Sequence, residues 1–106
     1  MDAGFIQEKV RKREYDLSSH AHQERQEEQI ELEEIEQILL KGDIIEKYSS
    51  DPRGESCLVA GKIANKSIHA VCGTRGNRLL VVTVYKPKQP TWIDYITRVK
   101  ELKSRV

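Results

Sequence analysis

All three histidines of the chain fall in two short blocks that also hold arginine, threonine and tyrosine. In "S-S-H-A-H-Q-E-R", His20 and His22 stand close together with Arg25 just behind them. In "S-I-H-A-V-C-G" and "L-L-V-V-T-V-Y", His69 precedes Thr83 and Tyr85. Imidazole is the side chain whose ordinary pKa lets it give or take a proton near neutral pH. With a guanidinium to hold negative charge and hydroxyls to orient an oxygen, this set suits acid–base chemistry on a phosphate ester. The plainer reading makes His69 a packed histidine bonded to a neighbouring carbonyl, and Thr83 and Tyr85 ordinary sheet residues.

Other chemistries find less support. The pattern H-x-H…H has little specificity for zinc, and no acidic or thiol ligand is clearly placed to complete it. Neither a metal nor a cofactor is therefore expected. A Gly-rich phosphate loop, a nucleophilic serine motif and a paired-carboxylate site are all missing from the sequence. Cys57 and Cys72 have neither a metal-ligand spacing nor a C-x-x-C spacing, and read as packed thiols.

The elements that must carry these side chains follow from periodicity. Residues 3–14 read as a helix with a partial apolar stripe of Phe5, Ile6 and Val10. "Y-D-L-S-S" interrupts it, and Ser18 or Ser19 caps a short polar helix opening at His20. A stronger helix spans residues 31–41, with Leu32, Ile35, Ile38 and Leu39 on one face and Gly42 at its C-terminal cap. Glutamates in its first turn and Lys41 in its last suit the helix dipole.

The period then changes. "D-I-I-E-K-Y", "S-C-L-V-A-G-K-I", "S-I-H-A-V-C" and "L-L-V-V-T-V-Y" read as four strands. The turns between them are Asp51-Pro52-Arg53-Gly54, Asn65-Lys66 and "T-R-G-N-R". Such short connections make an antiparallel meander. Pro87 and Pro90 end the sheet, and Ile96, Val99 and Leu102 mark a short C-terminal helix. The expectation is one α+β domain over residues 1–106: a helical part at 1–42, a four-stranded antiparallel sheet at 43–86, and a tail or helix at 87–106.

Alternation along the strands sets which side chains meet. Ile68, Ala70 and Cys72 read as the covered face, which leaves His69 on the open one. On the last strand Leu80, Val82 and Val84 read as buried, and Thr83 and Tyr85 share the open face with Leu79 and Val81. His69, Thr83 and Tyr85 are thus expected on one surface, unless a one-residue slip reverses the phase. His22 and Arg25 lie on one side of their helix and form the better geometric pair. His20 is left to cap backbone groups or to pack against the sheet.

Charge divides the chain. Residues 24–46 hold nine acidic and two basic side chains, and residues 47–106 hold twelve basic and four acidic, beneath a net charge of only +1. A basic second half attracts polyanions such as RNA, while the acidic helix would repel them. A solvated helix beside an ordinary sheet accounts for the same division. No apolar run is long enough to span a bilayer. The first residues lack the apolar core of a signal peptide, so a cytoplasmic location is expected.

Taken in order, "Y-D-L-S-S-H-A-H-Q-E-R", "I-E-L-E-E-I-E-Q-I-L-L-K-G-D-I-I-E-K-Y", "D-P-R-G-E-S-C-L-V-A-G", "I-H-A-V-C-G" and "V-T-V-Y-K-P…P-T-W" resemble the bacterial and archaeal family known as domain of unknown function 4258. The resemblance covers roughly residues 15–94. It implies a RelE-like fold in the barnase–EndoU–colicin–RelE group of ribonucleases. It also implies the toxin of a type II toxin–antitoxin pair, with an MqsA-like zinc-finger antitoxin as a partner. The family's "H-A…R" opening matches His20-Ala21, its strand histidine His69, and its "T-V-Y" ending Thr83-Val84-Tyr85. Many members place the arginine four residues after the histidine; here Glu24 occupies that position and Arg25 comes one later.

On this reading the protein is a metal-independent endoribonuclease acting on free or ribosome-associated RNA. His69 would take the proton from a ribose 2′-OH and His22 or His20 would protonate the leaving oxygen, or the two roles would be exchanged. Arg25 or Arg53 would hold the phosphoryl charge, and Thr83 and Tyr85 would position it. The alternative is a module that binds without catalysis. Trp92 and Tyr85 would then stack on bases, with Arg75, Arg78, Lys86 and Lys88 on phosphates. Alternatively, the acidic helix or the exposed sheet would hold a protein partner.

Overall fold

The computed structural model describes residues 1–48 and 54–88. Its first helix, α1 (Ala3–Arg11), starts at Asp2, whose carboxylate accepts from the Phe5 N–H at 2.8 Å. Ile6 and Val10, one turn apart, are its buried residues. The chain then reverses through Arg13, at φ 57°.

"Y-D-L" is not a simple interruption. It forms β1 (Tyr15–Leu17), which pairs in parallel with the last strand, β5 (Arg78–Tyr85). Asp16 meets Leu80 in register and Leu17 meets Val81. Arg78 secures the join, donating from Nε to Asp16 at 2.8 Å and from Nη2 to the Tyr15 carbonyl at 3.3 Å.

Ser18 ends β1 and opens α2 (Ser19–Glu27): its hydroxyl accepts from the Ala21 N–H at 3.0 Å and donates to the Val82 carbonyl at 2.7 Å. One side chain thus caps the helix and ties it to the sheet. In α3 (Leu32–Lys41) the buried positions are Ile35, Ile38 and Leu39, while Leu32 lies at the exposed margin of the stripe. Gly42 follows it with extended backbone (φ −76°, ψ 177°) rather than a left-handed cap. Glycine is required there by proximity. A Cβ would stand 2.6 Å from the Ile38 carbonyl oxygen and 2.7 Å from that of Ala60.

The remaining strands are β2 (Asp43–Tyr48), β3 (Ser56–Ile63) and β4 (Lys66–Arg75). With β5 they form the expected antiparallel meander, but β1 adds a fifth, parallel strand, giving the order β1-β5-β4-β3-β2. The β3–β4 connection sits one residue earlier than its Asn65-Lys66 reading, with Ala64 at φ 54° and Lys66 already in β4. The expected C-terminal helix and most of the expected Asp51–Gly54 turn lie outside the described residues.

The core lies between the helices and one sheet face, where Cys57, Val59, Ile68, Ala70, Cys72, Leu79, Val81 and Val84 meet Ile6, Val10, Ala21, Ile35, Ile38 and Leu39. This overturns half of the phase expected for β5. Val71 pairs with Thr83 but Cys72 pairs with Val81, so Val82 is an extra residue in a bulge. Val84 therefore points into the core as expected, and Thr83 and Tyr85 keep their shared face. Beyond the bulge the alternation is reversed. Leu79 and Val81 enter the core, while Leu80 and Val82 turn to the opposite face.

That opposite face is not uniformly open. Leu58, Ala60 and His69 are all 0 % exposed at its centre. Toward the β4–β5 turn, Val71, Gly73, Leu80 and Val82 line a groove of about 280 Å³.

Candidate functional site

Where β1 stops, the edge of β5 would offer bare backbone groups, which a folded protein must satisfy. Here α2 takes over. After Ser18 binds the Val82 carbonyl, the Glu24 carboxylate accepts from the Val84 N–H at 3.2 Å and Glu28 accepts from the Lys86 N–H at 3.1 Å. Two glutamates one helical turn apart match two edge N–H groups two residues apart. Acidic side chains of α2 and its C-cap thus act as a substitute strand.

Glu24 has further partners. The Glu24 oxygen that takes the Val84 N–H also accepts from the Thr83 hydroxyl. Its other oxygen lies 3.4 Å from Nε2 of His20, one turn back on α2. The carboxylate is largely covered, while the His20 side chain is 68 % exposed. An anchored carboxylate therefore stands beside one ring nitrogen of a solvent-facing imidazole, the placement of a third group next to an acid or base.

His69 has a different environment. It pairs in register with Tyr85, and its Nδ1 shares a hydrogen bond with the Tyr85 hydroxyl at 3.2 Å. The two rings meet edge-on, with centroids 5.2 Å apart. Tyr85 is only half-buried, so it carries this pair toward the surface from a histidine with no exposure of its own. His69, Thr83 and Tyr85 do share one face, as alternation required, and α2 brings His20 to Thr83 through Glu24.

The other expected residues do not join them. His22 is exposed on α2, and Arg25 turns back to the α2–α3 connection, where Nη1 donates to the Ile30 carbonyl at 3.3 Å. The Arg25 Nε is buried without a hydrogen-bond partner. The His22–Arg25 pair is therefore replaced by His20–Glu24. Sequence reasoning passed over Glu24, although a carboxylate four residues after a histidine on a helix is a readable signal.

The basic residues divide between the two ends of β5. Arg75 and Arg78 face each other at the β4–β5 turn, roughly 24 Å along the strand from Tyr85 at 3.4 Å per residue. Arg78 is committed to Asp16, whose carboxyl it holds below the usual range while its own guanidinium is pushed up. At the other end, Lys88 lies 3.5 Å from Glu28, directly beyond Tyr85 and Lys86. Arg53 and Trp92 lie outside the described residues.

Among the described residues, no three His, Cys, Asp or Glu side chains converge closely enough to hold a metal. No described helix is long and apolar enough to cross a membrane.

Comparison with known proteins finds no match among curated proteins and none among solved structures. The profile of one family does match, over residues 17–86. That span runs from the end of β1 through both halves of the site to Lys86, and covers more than half of the chain. The protein belongs to the family described as Domain of unknown function (DUF4258).

Proposed function

We propose that this protein is a metal-independent endoribonuclease, the toxin of a type II toxin–antitoxin pair. The observation that carries the reading is the exposed His20 imidazole 3.4 Å from Glu24, itself anchored on Thr83 and the Val84 N–H. General acid–base catalysis needs a proton-carrying group that substrate can reach, with a partner beside it.

The reaction is cleavage by the ribose 2′-OH. A base removes the hydroxyl proton and the oxygen attacks phosphorus. The bond to the 5′ oxygen then breaks as an acid supplies that oxygen with a proton, leaving a 2′,3′-cyclic phosphate. His20 fills one of these roles, and the Tyr85 hydroxyl, on the same face as Thr83, fills the other. His69 is too deeply buried to touch RNA, so its part is to orient and tune Tyr85 through their hydrogen bond. Lys86 and Lys88 supply positive charge next to Tyr85 in place of Arg25. The partner in this reading is a cognate antitoxin, and the motif resemblance suggests the MqsA-like zinc-finger kind.

A second reading has its own support. Arg78 is paired with Asp16, Lys66 with Glu34 and Lys88 with Glu28, which leaves less free positive charge for phosphates than the sequence promised. A module that binds a protein partner without catalysis fits that surface.

Inducible expression in a bacterial host separates the two, with growth and RNA ends followed together for wild type and His20→Ala. The ribonuclease reading expects growth arrest and new cyclic-phosphate ends from wild type. In the folded variant it expects turnover lower by about 10²–10⁴-fold, the usual worth of a general acid or base. Intact RNA and unaffected growth with abundant folded wild-type protein would favour the binding module.

A further inference from the structure

The chain contains three sulfur atoms, in Met1, Cys57 and Cys72, and the fold brings these distant residues to one place. Cys57 on β3 and Cys72 on β4 are direct register partners, so both point to the helix-covered face. The Cys57 thiol donates to the Met1 Sδ at 3.7 Å, and the Met1 side chain is itself 3 % exposed. Both thiols are reduced and fully buried.

We propose that Met1, Cys57 and Cys72 form a three-sulfur site for a cuprous ion. Thiolate and thioether donors are soft and select monovalent copper, whereas zinc takes four donors and rarely a thioether. Metal–sulfur bonds of about 2.3 Å place the sulfurs of a trigonal set about 4 Å apart. The 3.7 Å between Cys57 and Met1 meets that spacing. Cys72 completes the set by turning its thiol from the Ala70 carbonyl, a long 4.0 Å contact, toward its cross-strand partner. A cavity of about 260 Å³ lined by Met1, Phe5, Glu55 and Thr74 opens beside the cluster and provides a way in.

The ion replaces two thiol protons, so the loaded site holds one net negative charge. A third sulfur would be superfluous to a disulfide but completes a trigonal metal site. This inference is independent of the ribonuclease reading, which uses no metal.

The test is a titration of the purified chain, under oxygen-free reducing conditions, with cuprous ion delivered from a coloured cuprous chelator. One ion per chain is expected in wild type. Cys57→Ala and Cys72→Ala should each bind more weakly by at least the roughly 10–100-fold that even an outer-shell partner is worth. X-ray absorption at the copper edge of the loaded wild type should show sulfur scatterers only, and this does not depend on the variants folding. Failure of wild type to compete with the chelator, a shell containing nitrogen or oxygen, or undiminished binding by the folded variants would each overturn the site.

Discussion

Glu24 is the residue on which the site depends, because its carboxylate accepts from Thr83 and the Val84 N–H and lies 3.4 Å from His20. Removing one partner from a covered hydrogen-bonded set leaves the others unsatisfied, which costs about 1–3 kcal/mol. Glu24→Ala should therefore lower the unfolding free energy by that amount, read as a lower urea midpoint at an unchanged m-value, and remove the carboxylate beside His20. Glu24→Gln retains one acceptor oxygen and should lose about half as much. Equal stability of wild type and Glu24→Ala would show that the carboxylate is not the anchor of β5. At the neighbouring position, Arg25 illustrates how one register step changes a role: it reaches the Ile30 carbonyl and stays away from the sheet.

Among the elements, two junctions decide whether α2 and α3 sit correctly on the sheet. Ser18 both caps α2 and binds β5, so Ser18→Ala should cost about 1–2 kcal/mol, the upper range for losing an N-cap. The loss should appear in thermal melts and as faster amide exchange through α2. Gly42 lies where α3 meets β3, and Gly42→Ala would push a methyl group against two backbone carbonyls that cannot move aside. Overpacking of that kind costs about 1–3 kcal/mol. A variant as stable as wild type in a thermal melt would contradict the close approach.

Across the whole molecule, ion pairs join distant segments: Asp16 of β1 to Arg78 of β5, and Glu34 of α3 to Lys66 of β4. Both carboxyls are held below their ordinary range, Asp16 chiefly by its hydrogen bond from Arg78 and Glu34 chiefly by the Glu31 N–H. For a carboxyl whose folded pKa is depressed, the stabilising contribution is complete above the unfolded value of about 4. It fades as pH falls through that value and is gone below the folded pKa. The urea midpoint should accordingly drop as pH falls through about 4 and below, with Arg78→Ala showing a shallower fall. A flat acid limb in wild type would remove these pairs from the stability of the fold.

Local patterning made most of the architecture legible. The helix over Ile35, Ile38 and Leu39 and the strand ranges of β2, β3 and β5 are written in short-range periodicity, because burial of one face forces a period of 3.6 or 2. Alternation was also enough to put His69, Thr83 and Tyr85 on one face. What the sequence could not show depends on contacts between segments far apart in the chain. The three residues of β1 carry no periodic signal and exist only because β5 offers them a parallel edge. The bulge at Val82 reverses Leu79–Val82 without a glycine or proline to announce it. The burial of His69, the anchoring of Glu24 on β5 and the meeting of three sulfurs are likewise tertiary. Each is decided by which strands become neighbours, and hydrogen-bond pairing across the sheet sets that, not the pattern within any one strand.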